Sequence, residues 1–210
     1  MIEVVLKMIR VFLLVFVFSK IVLSNPTYIQ PEIYKITNIK EAIYYHDLDK
    51  LKYFIKKGEV NSIKPPDYLC LAKCKDTRTT PLMLAVSDPK FFWAIDILLD
   101  SGADPNLKNS FGLTALHYAI INLAFNPENN FILKKLIKVG ANINDLDHTS
   151  SSAIFYAIEY GVYSNPKLIQ VLLDNGADTK ITNHSGQTPL SLAERIGAEK
   201  IIKMIKRKRN

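Results

Sequence analysis

The side chains best suited to chemistry in this chain are four histidines, His46, His117, His148 and His184, and two cysteines, Cys70 and Cys74. A catalytic or zinc-bound histidine needs partners at fixed spacing, as in H-E-x-x-H, and none of the four has them. No G-x-S-x-G nucleophile elbow and no phosphate-cradling G-x-x-x-x-G-K-[ST] loop occurs. The cysteines lie four apart within 64–75, KPPDYLCLAKCK. They read as a disulfide if the chain is exported, or as incidental thiols; a zinc site would need two further ligands at suitable spacing. These residues point away from an enzyme, and no cofactor or metal is expected.

The elements that would position them repeat. Seven residues before Gly58, Gly102, Gly140 and Gly176 stand Leu51, Ile95, Leu133 and Ile169. Four before stand Phe54, Leu98, Leu136 and Leu172, and three before stand Ile55, Leu99, Ile137 and Leu173. Spacings of three and four put these apolar residues on one helix face. Each glycine falls where a helix ends in the left-handed conformation. Twelve residues beyond the last three glycines come Thr114, Ser152 and Thr188, and Thr80 is the fourth of the kind. The phrases they open are Thr80-Pro81-Leu82-Met83, Thr114-Ala115-Leu116-His117, Ser152-Ala153-Ile154-Phe155 and Thr188-Pro189-Leu190-Ser191. Thr or Ser caps a helix, and Pro is tolerated at its first position. A small residue follows each phrase (Ala85, Ala119, Ala157, Ala193), which lets a neighbouring helix approach closely.

T-P-L-H-x-A followed by a helix ending L-L-x-x-G-A-D resembles the ankyrin repeat, a turn plus two antiparallel helices of about 33 residues. The resemblance covers residues 38–206. It implies an all-α solenoid of stacked helix-turn-helix units with β-turn fingers. Residues 38–61 form a degenerate first unit, 75–108, 109–146 and 147–182 full units, and 183–206 a terminal capping unit. The extra residues of the longer units fall between first and second helices, where Pro89, Pro127 and Pro166 stand. The insert at 64–75 enlarges one finger, either as a packed cap or as a partner contact.

The resemblance also implies a protein partner held on the concave face made by fingers and first helices. The exposed variable positions there are Asp76, Thr77, Thr79, Ser110, Phe111, Leu113, His148, Thr149, Ser151, His184, Ser185 and Gln187. On the first helices they are Ser87, Asp88, Ile121, Asn122, Glu159 and Tyr160. Phe111 and Leu113 either anchor a partner or fold back on the next finger. His117 occupies the family's T-P-L-H position, where the imidazole bonds to neighbouring backbone.

The totals fit one domain. The chain has 210 residues, 48% of them hydrophobic, and a net charge of +7. Lys203, Lys206, Arg207, Lys208 and Arg209 supply much of the excess near the C-terminus, with 207–210 read as a basic tail. That end reads as a solvated helix cap, a nuclear-address or nucleic-acid contact, or a membrane contact. At the other end, Lys7 and Arg10 precede the apolar run Val11–Phe18, and Val22 and Ser24 suit a cleavage site before Asn25. Residues 1–24 are expected to be a signal peptide, the alternative being an uncleaved anchor at 1–23. With the ankyrin units, this resembles exported proteins of intracellular bacteria. The expected role is a secreted effector that binds a host protein, and the alternative is a cell-envelope resident with a structural or protective role. The chain is expected to act as a monomer, with no nucleic-acid partner, and to meet a membrane only through an uncleaved anchor.

Overall fold

The structure is a computed structural model, and it describes residues 36–63, 78–161 and 165–209. The chain divides into two units at Ile36, and every described helix belongs to the second, Thr37–Asn210. The expected signal peptide at 1–24, Cys70 and Cys74, the insert at 64–75, and Asp76 and Thr77 lie outside the described residues.

Among the described residues, ten α-helices follow one another in antiparallel pairs, and there is no strand. The first helices of the pairs are α1 (Ile39–Tyr44), α3 (Pro81–Ser87), α5 (Ala115–Phe125), α7 (Ala153–Gly161) and α9 (Pro189–Arg195). The second helices are α2 (Leu48–Lys56), α4 (Ile95–Asp100), α6 (Phe131–Lys138), α8 (Lys167–Asp174) and α10 (Glu199–Arg209). Each first helix packs on the next, α1 on α3, α3 on α5, α5 on α7 and α7 on α9. Ala85, Ala119, Ala157 and Ala193 are fully buried in that row, where a larger side chain would hold the helices apart. The fold is therefore the expected all-α repeat solenoid, whose core runs from seam to seam.

The second helices show why the glycines recur. Leu98, Leu136 and Leu172 are fully buried. Their carbonyls accept from Ala103, Ala141 and Ala177 at 2.9 Å each, and Gly102, Gly140 and Gly176 hold φ of 84°, 91° and 89°. This is the six-to-one bond of a Schellman cap, and the glycine's missing Cβ makes the left-handed turn cheap. Position −3 is less buried than expected. Only Leu173 is fully enclosed there, while Ile55, Leu99 and Ile137 are half-exposed at the flank of the apolar stripe.

The first helices begin on the predicted caps. Met83 N–H donates to Thr80 Oγ1 at 3.1 Å, and Ser191 N–H to Thr188 Oγ1 at 3.2 Å. The longer connections hold short 3-10 turns at Pro89–Ala94 and Pro127–Asn129. Residues 207–209, expected as a tail, instead continue α10 to Arg209. Lys and Arg are good helix formers, and cations favour a helix C-terminus, so the helix runs on.

Asparagines stitch the seams on the second-helix turns. Asn61 Nδ2 donates to the Gly102 carbonyl at 3.3 Å while its Oδ1 accepts from Asp104 N–H at 2.8 Å. Asn106 repeats this with Gly140 and Asn142, at 3.0 and 2.8 Å, and Asn144 with Gly176 and Asp178, at 3.1 and 2.8 Å. Lys180 holds the corresponding place in the following unit. At the first seam, Lys40 is 2% exposed and its ammonium donates to the Thr79 carbonyl at 2.8 Å.

Candidate partner-binding surface

Each finger is built around one short polar side chain. Asn109 Oδ1 accepts from Phe111 N–H and Leu113 N–H, both at 2.9 Å. Asp147 Oδ1 does the same for Thr149 and Ser151 at 2.8 and 2.9 Å, and Asn183 Oδ1 for Ser185 and Gln187 at 3.0 Å. The main chain closes each loop, from Asn109 N–H to Leu113, Asp147 N–H to Ser151 and Asn183 N–H to Gln187. The turn requires a positive φ, supplied by Gly112 (78°) and Gly186 (70°) and, at higher cost, by Arg78 (44°) and Ser150 (58°).

Neighbouring fingers then join edge to edge. His148 N–H donates to the Phe111 carbonyl at 3.0 Å, and His184 N–H to the Thr149 carbonyl at 2.8 Å. A Cβ on Gly112 would stand 2.8 Å from both the His148 ring and its backbone nitrogen. The result is a row of pinned backbones that turns several side chains outward. Ser110, Phe111, His148, Thr149, His184 and Ser185 are exposed on it, Phe111 by 45%.

A tyrosine patch on the first helices adjoins the bases of the fingers. Asn109 Nδ2 donates to the Tyr118 hydroxyl at 3.1 Å, and the Tyr156 hydroxyl donates to Asp147 Oδ2 at 2.6 Å. Tyr156 meets His117 edge-on at 5.4 Å and stacks on Tyr160 at 6.0 Å. Burial pushes all three tyrosine hydroxyls above their ordinary range, Tyr160 to about 12, with Glu159 adding to the shift. These hydroxyls therefore stay protonated and serve as neutral hydrogen-bonding tips on apolar rings.

His117 is structural. Its Nδ1 accepts from Thr114 N–H at 3.1 Å, so the Thr114 hydroxyl, 2.9 Å away, must also donate to it. Burial lowers the imidazole pKa, with Asp147 and the Ser151 backbone pulling the other way.

Among the other residues expected at the interface, Glu159 is exposed, and Thr79, Leu113, Ile121, Ser151, Tyr160 and Gln187 are half-buried. Asn122 is engaged, donating from Nδ2 to the Ser87 carbonyl at 3.0 Å. Asp88 accepts from Lys90 N–H at 3.0 Å at the start of the 3-10 turn. The Thr149 hydroxyl is taken up by Asp147 at 2.8 Å. Sequence reasoning missed Tyr118 and Tyr156, although the Tyr-Ala steps at 118–119 and 156–157 repeat nine residues after Asn109 and Asp147. Among the described residues, no cluster of His, Cys, Asp or Glu could hold a metal ion, and no helix is long and apolar enough to cross a membrane.

Paired helices, glycine-closed turns and cross-bonded fingers define a repeat protein built for surface rather than for a pocket. The chain belongs to the ankyrin-repeat family. The family model described as ankyrin repeats (3 copies) matches residues 39–147, 82–182 and 121–209. An ankyrin repeat protein of Borreliella burgdorferi is 32% identical over 177 residues, covering 83% of this chain and 71% of that protein. One of Acanthamoeba polyphaga mimivirus is 36% identical over 130 residues, covering 53% of this chain and 22% of the viral protein. One of fowlpox virus is 35% identical over 168 residues, covering 80% of this chain but only 20% of its own length. The chain thus spans about a fifth of these two viral relatives. Ankyrin repeats are a protein–protein interaction fold with no catalytic role of their own.

Proposed function

We propose that this chain is a non-catalytic binding module that grips a protein partner along its fingers and first helices. The observation that carries the reading is Phe111, a large apolar side chain 45% exposed on a finger whose backbone is pinned on both sides. A rigid backbone lowers the ordering cost of binding, and buried aromatic groups dominate interface energies. Tyr160 and Tyr156 supply further aromatic area, and His148, Thr149 and His184 supply polar contacts. Five helix pairs at about 10 Å each give a face long enough for a standard interface of about 1,200–2,000 Å².

The leader at 1–24 supports export before binding, in the manner of a secreted effector. Fractionation of the native cells tests this. Recovery from culture fluid or a host supports it, while retention in the envelope with residues 1–23 intact supports the resident role. The binding face is tested by a photo-crosslinking residue at position 111, with one at Lys134 on α6 as control. The expected outcome is a specific adduct from position 111, abolished by Tyr160→Asp. Adducts from Lys134 alone would place the interface elsewhere.

A further inference from the structure

A second surface lies on the second helices. Between α8 and α10 an open groove of about 770 Å³ is lined by Lys167, Lys200, Lys203, Lys206 and Arg207, and no carboxylate lines it. Pro166 and Met204 add apolar lining. Lys206 pairs with Glu194 at 3.3 Å. Lys167, Lys200, Lys203 and Arg207 meet no carboxylate among the described residues.

Helix capping does not account for this set. Cations near the C-terminus of α10 complement its dipole, which covers Lys206 and Arg207. Lys167 is the first residue of α8 and Lys200 the second of α10, where the dipole disfavours positive charge. Lys200, Lys203 and Arg207 also share one helical face at i, i+3 and i+7, so they repel one another. The groove therefore concentrates uncompensated positive charge over apolar walls.

We propose that this groove docks a short acidic peptide segment carrying an aliphatic side chain. Its carboxylates complement the four unmatched cations, and Met204 offers an adaptable apolar contact. Lys200 to Lys203 is a rise of about 4.5 Å and Lys203 to Arg207 about 6 Å. Alternate residues of an extended strand are about 6.6 Å apart, so their carboxylates reach successive cations. Single-stranded nucleic acid is disfavoured, because it uses aromatic stacking platforms and none of the lining residues is aromatic. A flat lipid surface does not enter a groove between two helices. The site is made of second helices and stands apart from the finger face.

The test is fluorescence anisotropy with the full chain and a labelled octapeptide of glutamates around one leucine. Single-stranded oligonucleotide and phosphatidylserine vesicles are run as separate arms. Saturable one-to-one peptide binding is expected, weakened at least tenfold by Lys200→Glu with Lys203→Glu, and also by Met204→Asp. The charge-matched pair Lys134→Glu with Lys138→Glu on α6 changes it less than twofold. Should circular dichroism show the groove pair unfolded, Lys200→Gln with Lys203→Gln replaces it. Equal weakening by the α6 pair, or binding of oligonucleotide or vesicles without the peptide, overturns the proposal.

Discussion

Asn106 reaches from one unit to the next and donates its side-chain amide to the Gly140 carbonyl at 3.0 Å. The same side chain accepts from Asn142 N–H at 2.8 Å, so one residue fixes both edges of its neighbour's turn. Asn106→Ala is expected to lower unfolding free energy by about 1–2 kcal/mol, two modest hydrogen bonds partly replaced by water. Lys180→Ala, at the equivalent position without such bonds to a following turn, should stay within about 0.5 kcal/mol. Urea denaturation followed by circular dichroism compares them, and equal losses would remove the stitching role.

The helix caps give a matched pair. Thr114 is buried and bonded to His117, whereas Ser152 Oγ is buried with no hydrogen-bond partner. The third helical residue after Ser152 is Phe155, which carries no acceptor to answer it. Thr114→Ala should cost about 1–2 kcal/mol, and Ser152→Ala should be neutral or stabilising. A destabilised Ser152→Ala protein would show that its hydroxyl is satisfied.

The finger turns respond to the same backbone logic. Ser150 sits at φ 58°, where Gly112 and Gly186 occupy the corresponding positions. Ser150→Gly is expected to raise the melting temperature, worth up to about 1 kcal/mol. Gly112→Ala should do the reverse, because its Cβ would meet His148 backbone and ring at 2.8 Å. Differential scanning calorimetry reads both shifts, and an unchanged melting temperature for Gly112→Ala would mean the fingers tolerate separation.

The His117 imidazole has its pKa lowered from 6.5 by burial. Above that value both folded and unfolded forms are neutral, and this residue adds no pH slope. Below it the unfolded chain takes up a proton that the folded chain resists, so stability falls as pH drops. His117→Met should flatten that decline below about pH 6.5, since Met83 fills the equivalent place with its sulfur facing Thr80 N–H at 3.3 Å. Denaturation curves at successive pH values decide it, and an unchanged slope would assign the effect to other groups.

The solenoid was legible because burial and capping leave strong local marks. Leu98, Leu136 and Leu172 had to be apolar, and Gly102, Gly140 and Gly176 had to tolerate a left-handed turn. The seams were less legible, because Asn106 and Asn144 look like ordinary turn residues until their partners, more than 30 positions away, are in place. Tyr118 and Tyr156 were hidden for a related reason. Their rings continue the apolar pattern, and only the finger above gives their hydroxyls a partner. Asn122 looked free because its bond to the Ser87 carbonyl depends on how closely α3 and α5 pack. The cations of α10 read as a tail because the sequence does not reveal that Lys167 faces the same groove.

Lys180 gives the last seam a different character. There the finger bond from His184 to Thr149 and the helix contacts remain, but among the described residues no asparagine crosses on the second-helix side. The final helix pair should therefore be the leaf of the stack that peels first, with amide protons in α9 and α10 exchanging ahead of those in α5 and α7. Since one wall of the cationic groove is α10, whatever settles there would act as a clasp on the edge readiest to lift.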